Sequence, residues 1–257
     1  MKALEMPGRG EPLSDQPHSL SYQVFTRLEE SILSGKIPPG ENLNESRLSA
    51  ELGVSRTPVR EALRMLEQKS LVRIVPNKGA VVLGVDHKDL LDIYAIRGYI
   101  EGLASRWAAE NITEAQAGSL REIVELQEFY ALKSYEEQIS DLDSRFHEQI
   151  FSCCDSRTLR HVLKDLHHMV RRYRQLSLIA VDRTKKSVAE HRLILEAICR
   201  GDGEEAERLT VLHIHNAKEN LLKLLTGDLN QVGQANQIKR ERERYFESEQ
   251  NFKEQEK

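Results

Sequence analysis

Apolar residues near the start of the chain recur every three or four positions, a spacing that places them on one face of an α-helix. The first helix is predicted over residues 22–33, and its apolar face consists of Val24, Phe25, Leu28 and Ile32. Asn44 is a good N-cap for a short second helix that carries Leu48 and Leu52. Residues 55–58 supply capping side chains and a first-turn proline for a third helix. The apolar stripe of this third helix consists of Val59, Leu63 and Leu66.

Two short runs of β-branched residues follow these helices, at 71–75 and 80–83, and predict strands. The turn between them, residues 76–79, contains Asn and Gly, which tolerate positive φ and are typical of a hairpin. Three helices and a hairpin predict a winged helix-turn-helix domain over 20–84. Residues 1–19 contain three prolines without apolar periodicity and are typical of a flexible leader.

The rest of the chain has helical spacing almost without interruption and no strand-like alternation of useful length. The candidate helices span 87–110, 113–132, 135–154, 156–179, 186–200 and 203–226. Residues 85–226 are therefore predicted to form an all-α antiparallel bundle of six or seven helices, so that the fold class is mainly α. Residues 227–257 are charged and poor in aliphatic side chains, which is typical of a frayed helix or a disordered tail.

Composition narrows the class of protein. The 257 residues are 39% hydrophobic and only 5% aromatic, with 37 Lys and Arg against 41 Asp and Glu, and the small number of aromatic residues disfavours a β-sandwich. Apolar stretches fall far short of the roughly 20 residues that a membrane span requires, so we expect a cytoplasmic protein that does not contact a membrane. The cysteines lack the spacing of a disulfide framework or a zinc site and are expected to be reduced core thiols. They are Cys153, Cys154 and Cys199.

Positive charge is concentrated in the predicted third helix and hairpin. Between positions 55 and 79 there are six Lys or Arg and two Glu, a formal charge of +4 in a chain whose net charge is -4. Arg56 and Arg60 are about one helical turn apart, opposite the apolar stripe, and can enter a DNA major groove together. The hydroxyl of Thr57, in the first turn, suits a phosphate oxygen. The alternative is an exposed basic helix whose arginines pair with glutamates of the same helix.

One stretch of the first domain resembles a known family closely. The segment is SGKIPPGENLNESRLSAELGVSRTPVREALRMLEQKSLVRIVPNKGAVV, and it resembles the DNA-binding domain of the GntR family of bacterial transcriptional regulators. The resemblance implies double-stranded operator DNA as a partner. A basic contact typical of the family falls near Ser46 and is assigned to the adjacent Arg47. The other implied operator contacts are Ser55, Arg56, Thr57, Arg60, Lys78 and Gly79.

Polar residues that can bind a metal recur in the second domain. Asp143 and His147 are spaced i, i+4, so both side chains lie on one helix face and can hold one ion. His191 and His213 fall on two further predicted helices, so one carboxylate and three imidazoles can meet in the bundle core. Residues two apart on a helix face apart, which excludes His215 if His213 takes part. With two open positions the set suits a six-coordinate divalent ion, with zinc as the first candidate and nickel and manganese as alternatives.

The alternative is that these histidines are incidental core or surface residues, since the chain has nine histidines. On the polar fourth helix of this domain, three histidines are expected to be ordinary solvent-facing residues. They are His161, His167 and His168.

Several positions of the second domain match a second known pattern. They are Ala95-Ile96-Arg97, Glu101, Ala104, Asp143-x-x-x-His147, Glu190-His191, Ala197-Ile198, Gly201-Asp202, Ala206 and His213. This pattern resembles the FadR-type C-terminal ligand-binding domain, called FCD. In metal-binding members of that group the matching Asp and three His hold a divalent ion, and small carboxylic acids bind against it. The resemblance therefore implies a metal site at Asp143, His147, His191 and His213.

The resemblance also implies that Arg97 helps to hold the effector carboxylate, for which a guanidinium group is well shaped. The alternative for this residue is a surface ion pair with Glu101 at i+4. A Gly-Asn pair that the family tends to carry is replaced by Asp155-Ser156. An effector contact from that asparagine is therefore lost or altered.

Together these features predict a homodimeric transcription factor and not an enzyme. A small carboxylic acid at the metal would change the spacing of two DNA-binding domains, which requires different affinities for the two arrangements. One alternative is a metal-dependent hydrolase or lyase with an accessory DNA-binding module, although no HExxH or nucleophile signature accompanies the metal residues. Another alternative is an architectural DNA binder whose helical domain only dimerises.

Overall fold

The computed structural model describes residues 19–226 except 77, 134, 179 and 180. The predicted flexible leader, up to residue 18, and the predicted charged tail lie outside the described residues. The helices are α1 (Leu20–Leu33), α2 (Glu45–Leu52), α3 (Arg56–Gln68), α4 (His87–Asn111), α5 (Glu114–Lys133), α6 (Glu136–Cys153), α7 (Arg157–Leu178), α8 (Val181–Cys199) and α9 (Gly203–Thr226). The strands are β1 (Asn42–Leu43), β2 (Val72–Val75) and β3 (Gly79–Val82).

The chain divides into two compact units, with the boundary between Asp86 and His87. The first unit contains the three predicted helices and the predicted hairpin. Asn44 caps α2 as expected, since its side-chain oxygen accepts hydrogen bonds from the backbone N–H groups of Ser46 and Arg47 at 2.9 and 3.0 Å. The fold of this unit is a winged helix-turn-helix, in which β2 and β3 form the wing.

Strand β1 was not predicted, because two residues are too few for an alternating pattern. It pairs antiparallel with β3, which lies between β1 and β2 in the sheet. The pairing brings the backbone of Leu43 close to Gly79, whose φ is +97°. A Cβ at position 79 would lie 2.3 Å from the carbonyl oxygen of Leu43. Glycine at the first residue of β3 is therefore required by the packing of the wing.

We expect Gly79→Ala to lower the free energy of unfolding by about 2 kcal/mol or more, because it adds a backbone overlap to the cost of positive φ. Gly40→Ala is the matched control, since Gly40 has a φ of +82° and open space around the added Cβ. The control is expected to cost about 1 kcal/mol. Urea denaturation of the full chain measures both values, and equal losses would contradict the proposed role of the overlap.

The second unit is an all-α bundle of α4 to α9. Five of its predicted helices begin and end within one residue of the observed bounds, whereas α8 begins at Val181 and not at 186. The earlier start was missed because Arg183 and Thr184, which are buried in the unit, are polar. Apolar spacing is therefore absent from the first turns of α8.

Helices α4 and α9 pack closely. A Cβ at Gly102 of α4 would lie 2.9 Å from Cγ2 of Val211 and 3.2 Å from Cγ of Glu207, both on α9. Small residues on α4 thus let α9 approach the α4 backbone. The buried core of the unit includes Leu120, Phe146, Leu163, Ile194 and Ile198.

Two of the cysteines, Cys153 and Cys154, are buried as expected. The prediction of a core position is wrong for Cys199, which is exposed at the last residue of α8. None of the helices within the described residues is long and apolar enough to cross a membrane.

Candidate functional site

The exposed start of α3 forms the first candidate site. Arg56, Thr57 and Arg60 are exposed there, and Lys78 is exposed at the turn of the wing. Ser55, at the N-cap position, makes no capping hydrogen bond with its side chain. Backbone N–H groups at the start of a helix have no partner within that helix, so this end is suited to a DNA phosphate.

Two of the arginines predicted to contact DNA, Arg60 of α3 and Arg47 of α2, are paired with glutamates outside α3. Arg60 binds Glu45 of α2 through two hydrogen bonds, at 2.8 and 3.1 Å. Arg47 lies 3.1 Å from Glu41 and 3.9 Å from Glu51. These pairs are partly exposed and are therefore weak, so a DNA phosphate or base can replace the glutamate.

The pairing within α3 expected from the alternative interpretation occurs at one position. Arg64 binds Glu61 at 3.0 Å, but Glu67 accepts a hydrogen bond from the backbone N–H of Ile74. Arg60 makes its pair with another helix.

The second candidate site lies inside the helical unit, where the four predicted metal residues meet. Asp143 and His147 are on α6, His191 is on α8 and His213 is on α9. One donor atom from each side chain lies within 4.8 Å of the donor atoms of the other three, and all four residues are buried. The exposed His215 points elsewhere, as its position two residues from His213 predicts.

Polar contacts at the outer nitrogen of each imidazole orient the cluster. Nδ1 of His213 donates to Glu190 at 2.7 Å, and Nδ1 of His191 donates to the side-chain oxygen of Gln127 at 2.9 Å. Nδ1 of His147 lies 3.0 Å from Oε2 of Glu101. A proton on each Nδ1 leaves Nε2 as the atom with a lone pair, which is how proteins orient metal-binding histidines.

The inner nitrogens converge. Nε2 of His191 lies 3.3 Å from Nε2 of His213 and 3.7 Å from Oδ1 of Asp143. Two unprotonated nitrogens at this distance repel each other, and a shared cation removes the repulsion. Two nitrogens that each lie about 2.0–2.1 Å from one zinc ion are separated by roughly 3 Å, so the residues fit a divalent ion. The ring of Phe146 stacks on His191 and covers this side of the cluster with an apolar surface.

The surroundings keep the donor groups ready to bind. Burial lowers the pKa of His147 and of His191, so both imidazoles favour the neutral form that a metal requires. Burial opposes ionisation of Asp143, but the charge and hydrogen bond of Arg174, together with the neighbouring His147 and His191, hold the pKa of this carboxyl below its usual value. Burial also opposes ionisation of Glu190, and its hydrogen bonds to His213 and to an arginine lower its pKa to about 2.

His167 corrects one prediction. It was expected to face solvent with His161 and His168, but it is buried, with 6% of its surface exposed. Nδ1 of His167 accepts a hydrogen bond from Arg174 at 2.6 Å, and Nε2 donates to Glu101 at 2.8 Å. Both ring nitrogens therefore have partners, and Glu101, His147 and His167 also bring their donor atoms within 4.8 Å of one another, close enough to hold an ion.

Arg97 lies in the same polar network. The ion pair with Glu101 is present, with Nε of Arg97 2.6 Å from Oε1 of Glu101, but both residues are buried. The alternative of a surface ion pair is therefore wrong in its location. NH1 of Arg97 has no hydrogen-bond partner within the described residues.

A cavity of about 300 Å³, including the part that opens to solvent, adjoins the cluster. The lining residues are Tyr94, Arg97, Asp143, His147, Arg174, Arg183, Ser187, His213, Ile214 and Ala217.

Position 156 lies outside this lining. Asp155 has a positive φ of 46°, which suits the glycine that the family carries there. The hydroxyl of Ser156 accepts a hydrogen bond from the backbone N–H of Leu159 at the start of α7. Ser156 therefore caps a helix.

Several residues of the site were missed by sequence reasoning. Arg174, Arg183, Gln127 and Ser187 are polar residues at core-facing positions of long helices, where the sequence gives no sign of burial. The only available signal was spacing, since Arg183, Ser187 and His191 are each four residues apart and share one face of α8.

Comparisons with known proteins agree with both units. Residues 20–82 match the family model of bacterial regulatory proteins of the gntR family, and residues 92–216 match the FCD domain. A gluconate operon transcriptional repressor of Bacillus licheniformis is 30% identical over 69% of this chain and 72% of its own length. An uncharacterized HTH-type transcriptional regulator of Bacillus subtilis (strain 168), YdhC, is 29% identical over 82% of this chain and 95% of its own length.

Among solved structures, E. coli McbR/YncC aligns with a TM-score of 0.64 and 25% identity, over 80% of this chain and 98% of that chain. A winged helix-turn-helix unit and a helical FCD unit define a DNA-binding transcriptional regulator, and the relatives are regulators and not enzymes. The chain belongs to the GntR family of bacterial transcriptional regulators and to its FadR-type group with an FCD domain.

Proposed function

We propose that this regulator binds operator DNA with an affinity set by a small carboxylic acid, which binds at a divalent metal site in the FCD domain. The observation that carries the proposal is the convergence of one carboxylate and three imidazoles beside a cavity with buried arginines. A pure dimerisation domain has no need of such a cluster, because buried polar groups are costly unless a ligand or a partner uses them.

Asp143, His147, His191 and His213 would hold the ion. A divalent ion attracts a carboxylate oxygen and supplies a positive charge that the protein side chains alone do not provide. Arg97 would hold the same acid through its unpartnered NH1, since a guanidinium group binds carboxylates strongly. Zinc remains the first candidate, with nickel and manganese as alternatives.

The DNA contacts are proposed to come from the start of α3 and from the wing. Ser55, Arg56, Thr57 and Arg60 would enter or border the major groove, with Lys78 at the wing. Arg47 is proposed as a further phosphate contact once its pair with glutamate is released. Gly79 is proposed to let the wing backbone approach DNA, in addition to its role in packing. A homodimer is proposed because helix-turn-helix proteins typically read two-fold operators.

The test is operator binding with the purified full chain and a fluorescent DNA fragment from upstream of its own gene. We expect binding that exceeds binding to random duplex by at least about 1000-fold at physiological salt. We further expect an acid to release the fragment only from zinc-loaded protein, while protein treated with a chelator stays bound.

Two results would contradict this function. Equal affinity for the fragment and for random duplex would refute a sequence-specific regulator whose operator lies there. If no acid releases the fragment, either with or without metal, the result would support an architectural DNA binder.

A further inference from the structure

The cavity beside the four candidate metal-binding residues contains a second group of hydrogen-bond donors, on α8. Arg183 and Ser187 are one turn apart on the same face of α8, with 6% and 1% of their surfaces exposed. Nε of Arg183 and the hydroxyl of Ser187 have no hydrogen-bond partner in the described part of the chain. An unpartnered buried donor is costly, so these two groups indicate a ligand that accepts their hydrogen bonds.

This second group and Arg97 are linked to different histidines of the cluster. Arg97 binds Glu101, whose Oε2 lies 3.0 Å from Nδ1 of His147. Arg183 donates to both oxygens of Glu190, which binds Nδ1 of His213 at 2.7 Å. The two guanidinium groups are therefore linked to two different histidines of the cluster, and both line the same cavity.

The charges around the cavity set the charge of the molecule that it accommodates. Three buried arginines are each paired with a buried or half-buried carboxylate: Arg97 with Glu101, Arg174 with Asp143, and Arg183 with Glu190. These formal charges cancel, and metal-bound imidazoles are neutral, so a divalent cation leaves two uncompensated positive charges. Uncompensated buried charge is costly. A dianion balances both charges, whereas a monocarboxylate leaves one.

From these observations we propose that the effector is a short acid with two anionic ends, a dicarboxylate, of which one end binds at the metal and Arg97 and the other binds Arg183 and Ser187. This inference rests on the proposed function and adds to it the chemical class of the effector.

The experiment compares three four-carbon acids that differ at one end only: butyrate, 4-hydroxybutyrate and succinate. Isothermal titration of the zinc-loaded full chain measures the dissociation constant of each. We expect succinate to bind at least about tenfold more tightly than the other two, because only its second end is charged. The comparison is repeated with hexanoate, 6-hydroxyhexanoate and adipate, so that a mismatch in length does not hide the preference. Equal affinities within both series would overturn the inference.

Variants of α8 locate the second anionic end. Ser187→Ala is expected to weaken binding of the preferred diacid about fivefold and Arg183→Gln at least tenfold, while the monoacid and the zinc content are unchanged. Arg183→Lys keeps the charge and is expected to restore part of the preference. A loss of zinc, or an equal loss for monoacid and diacid, would show that Arg183 acts only through Glu190. Should Arg183→Gln fail to fold, Ser187→Ala alone decides.

The failure of this inference is distinguishable from the failure of the proposed function. Metal-dependent operator release by monoacids, without preference for diacids, overturns the dicarboxylate and retains the function. The absence of binding and release with every acid overturns both.

Discussion

His191→Ala is expected to abolish stoichiometric binding of the divalent metal and, with it, release of the operator by acids. The imidazole of His191 contributes one of four converging donors, and Nε2 lies within 3.7 Å of both His213 and Asp143. A ligand present at roughly 100 times its dissociation constant stabilises the folded state by about 2.7 kcal/mol. The variant should therefore lose that stabilisation and show the same melting temperature with and without zinc.

Two further variants make the metal experiment decisive. His215→Ala is the matched control, because His215 is an exposed histidine on the helix that carries His213. It should keep full metal content, measured by mass spectrometry of the protein-bound metal. Asp143→Asn preserves the shape of the side chain, so its loss of metal would not arise from a cavity. Full metal content in both His191→Ala and Asp143→Asn would remove the proposed site.

Arg60→Ala is expected to weaken specific operator binding by about 1–3 kcal/mol, the range for a side chain that reads a base edge. Arg60 lies on the exposed face of α3, and its present partner, Glu45, is a weak competitor at the surface. The hydrogen bond to Arg60 lowers the pKa of Glu45 against the opposing effect of burial, so this carboxylate is charged. Removing the arginine alone therefore also leaves a negative charge near the DNA.

The double variant Glu45→Gln with Arg60→Ala separates these two effects, and Arg64→Ala provides the control. Arg64 is exposed on the same helix and binds Glu61, one turn beyond Arg60. We expect Arg64→Ala to change affinity little and uniformly. Titrations of operator and scrambled duplex at several salt concentrations measure the outcome. If Arg60→Ala reduces the salt dependence but keeps the sequence preference, Arg60 contacts phosphate and does not read a base.

Most of the fold follows from local signals in the sequence. Asn44 at a helix start, glycine after helix ends and apolar spacing of three and four are short-range rules, and they predict α2, α3 and five of the six bundle helices. Strand β1 is not predictable in this way, because two residues carry no period. It forms only because its backbone pairs with the edge of β3.

The candidate site is less predictable than the fold. Asp143 and His147 could be found because they share one helix, and His191 and His213 because they match a family pattern. His167 and Arg174 could not be found, because their burial depends on partners about 70 and 30 residues away in the chain, respectively. Arg97 could be identified from the sequence as a candidate effector-binding residue. Only the structure shows that its ion pair with Glu101 is buried and not on the surface.

The close approach of α9 to Gly102 has a consequence for how such a regulator can diversify. His213 lies two residues after Val211, whose Cγ2 lies 2.9 Å from the position that a Cβ at Gly102 would take, so this close packing holds the register between the two helices. In the proposed sensor, exchanges at Tyr94 or Ser187 would therefore change which molecule is recognised while the spacing of the four donor residues is kept. The specificity for the effector would then change without a change in the packing of α4 against α9.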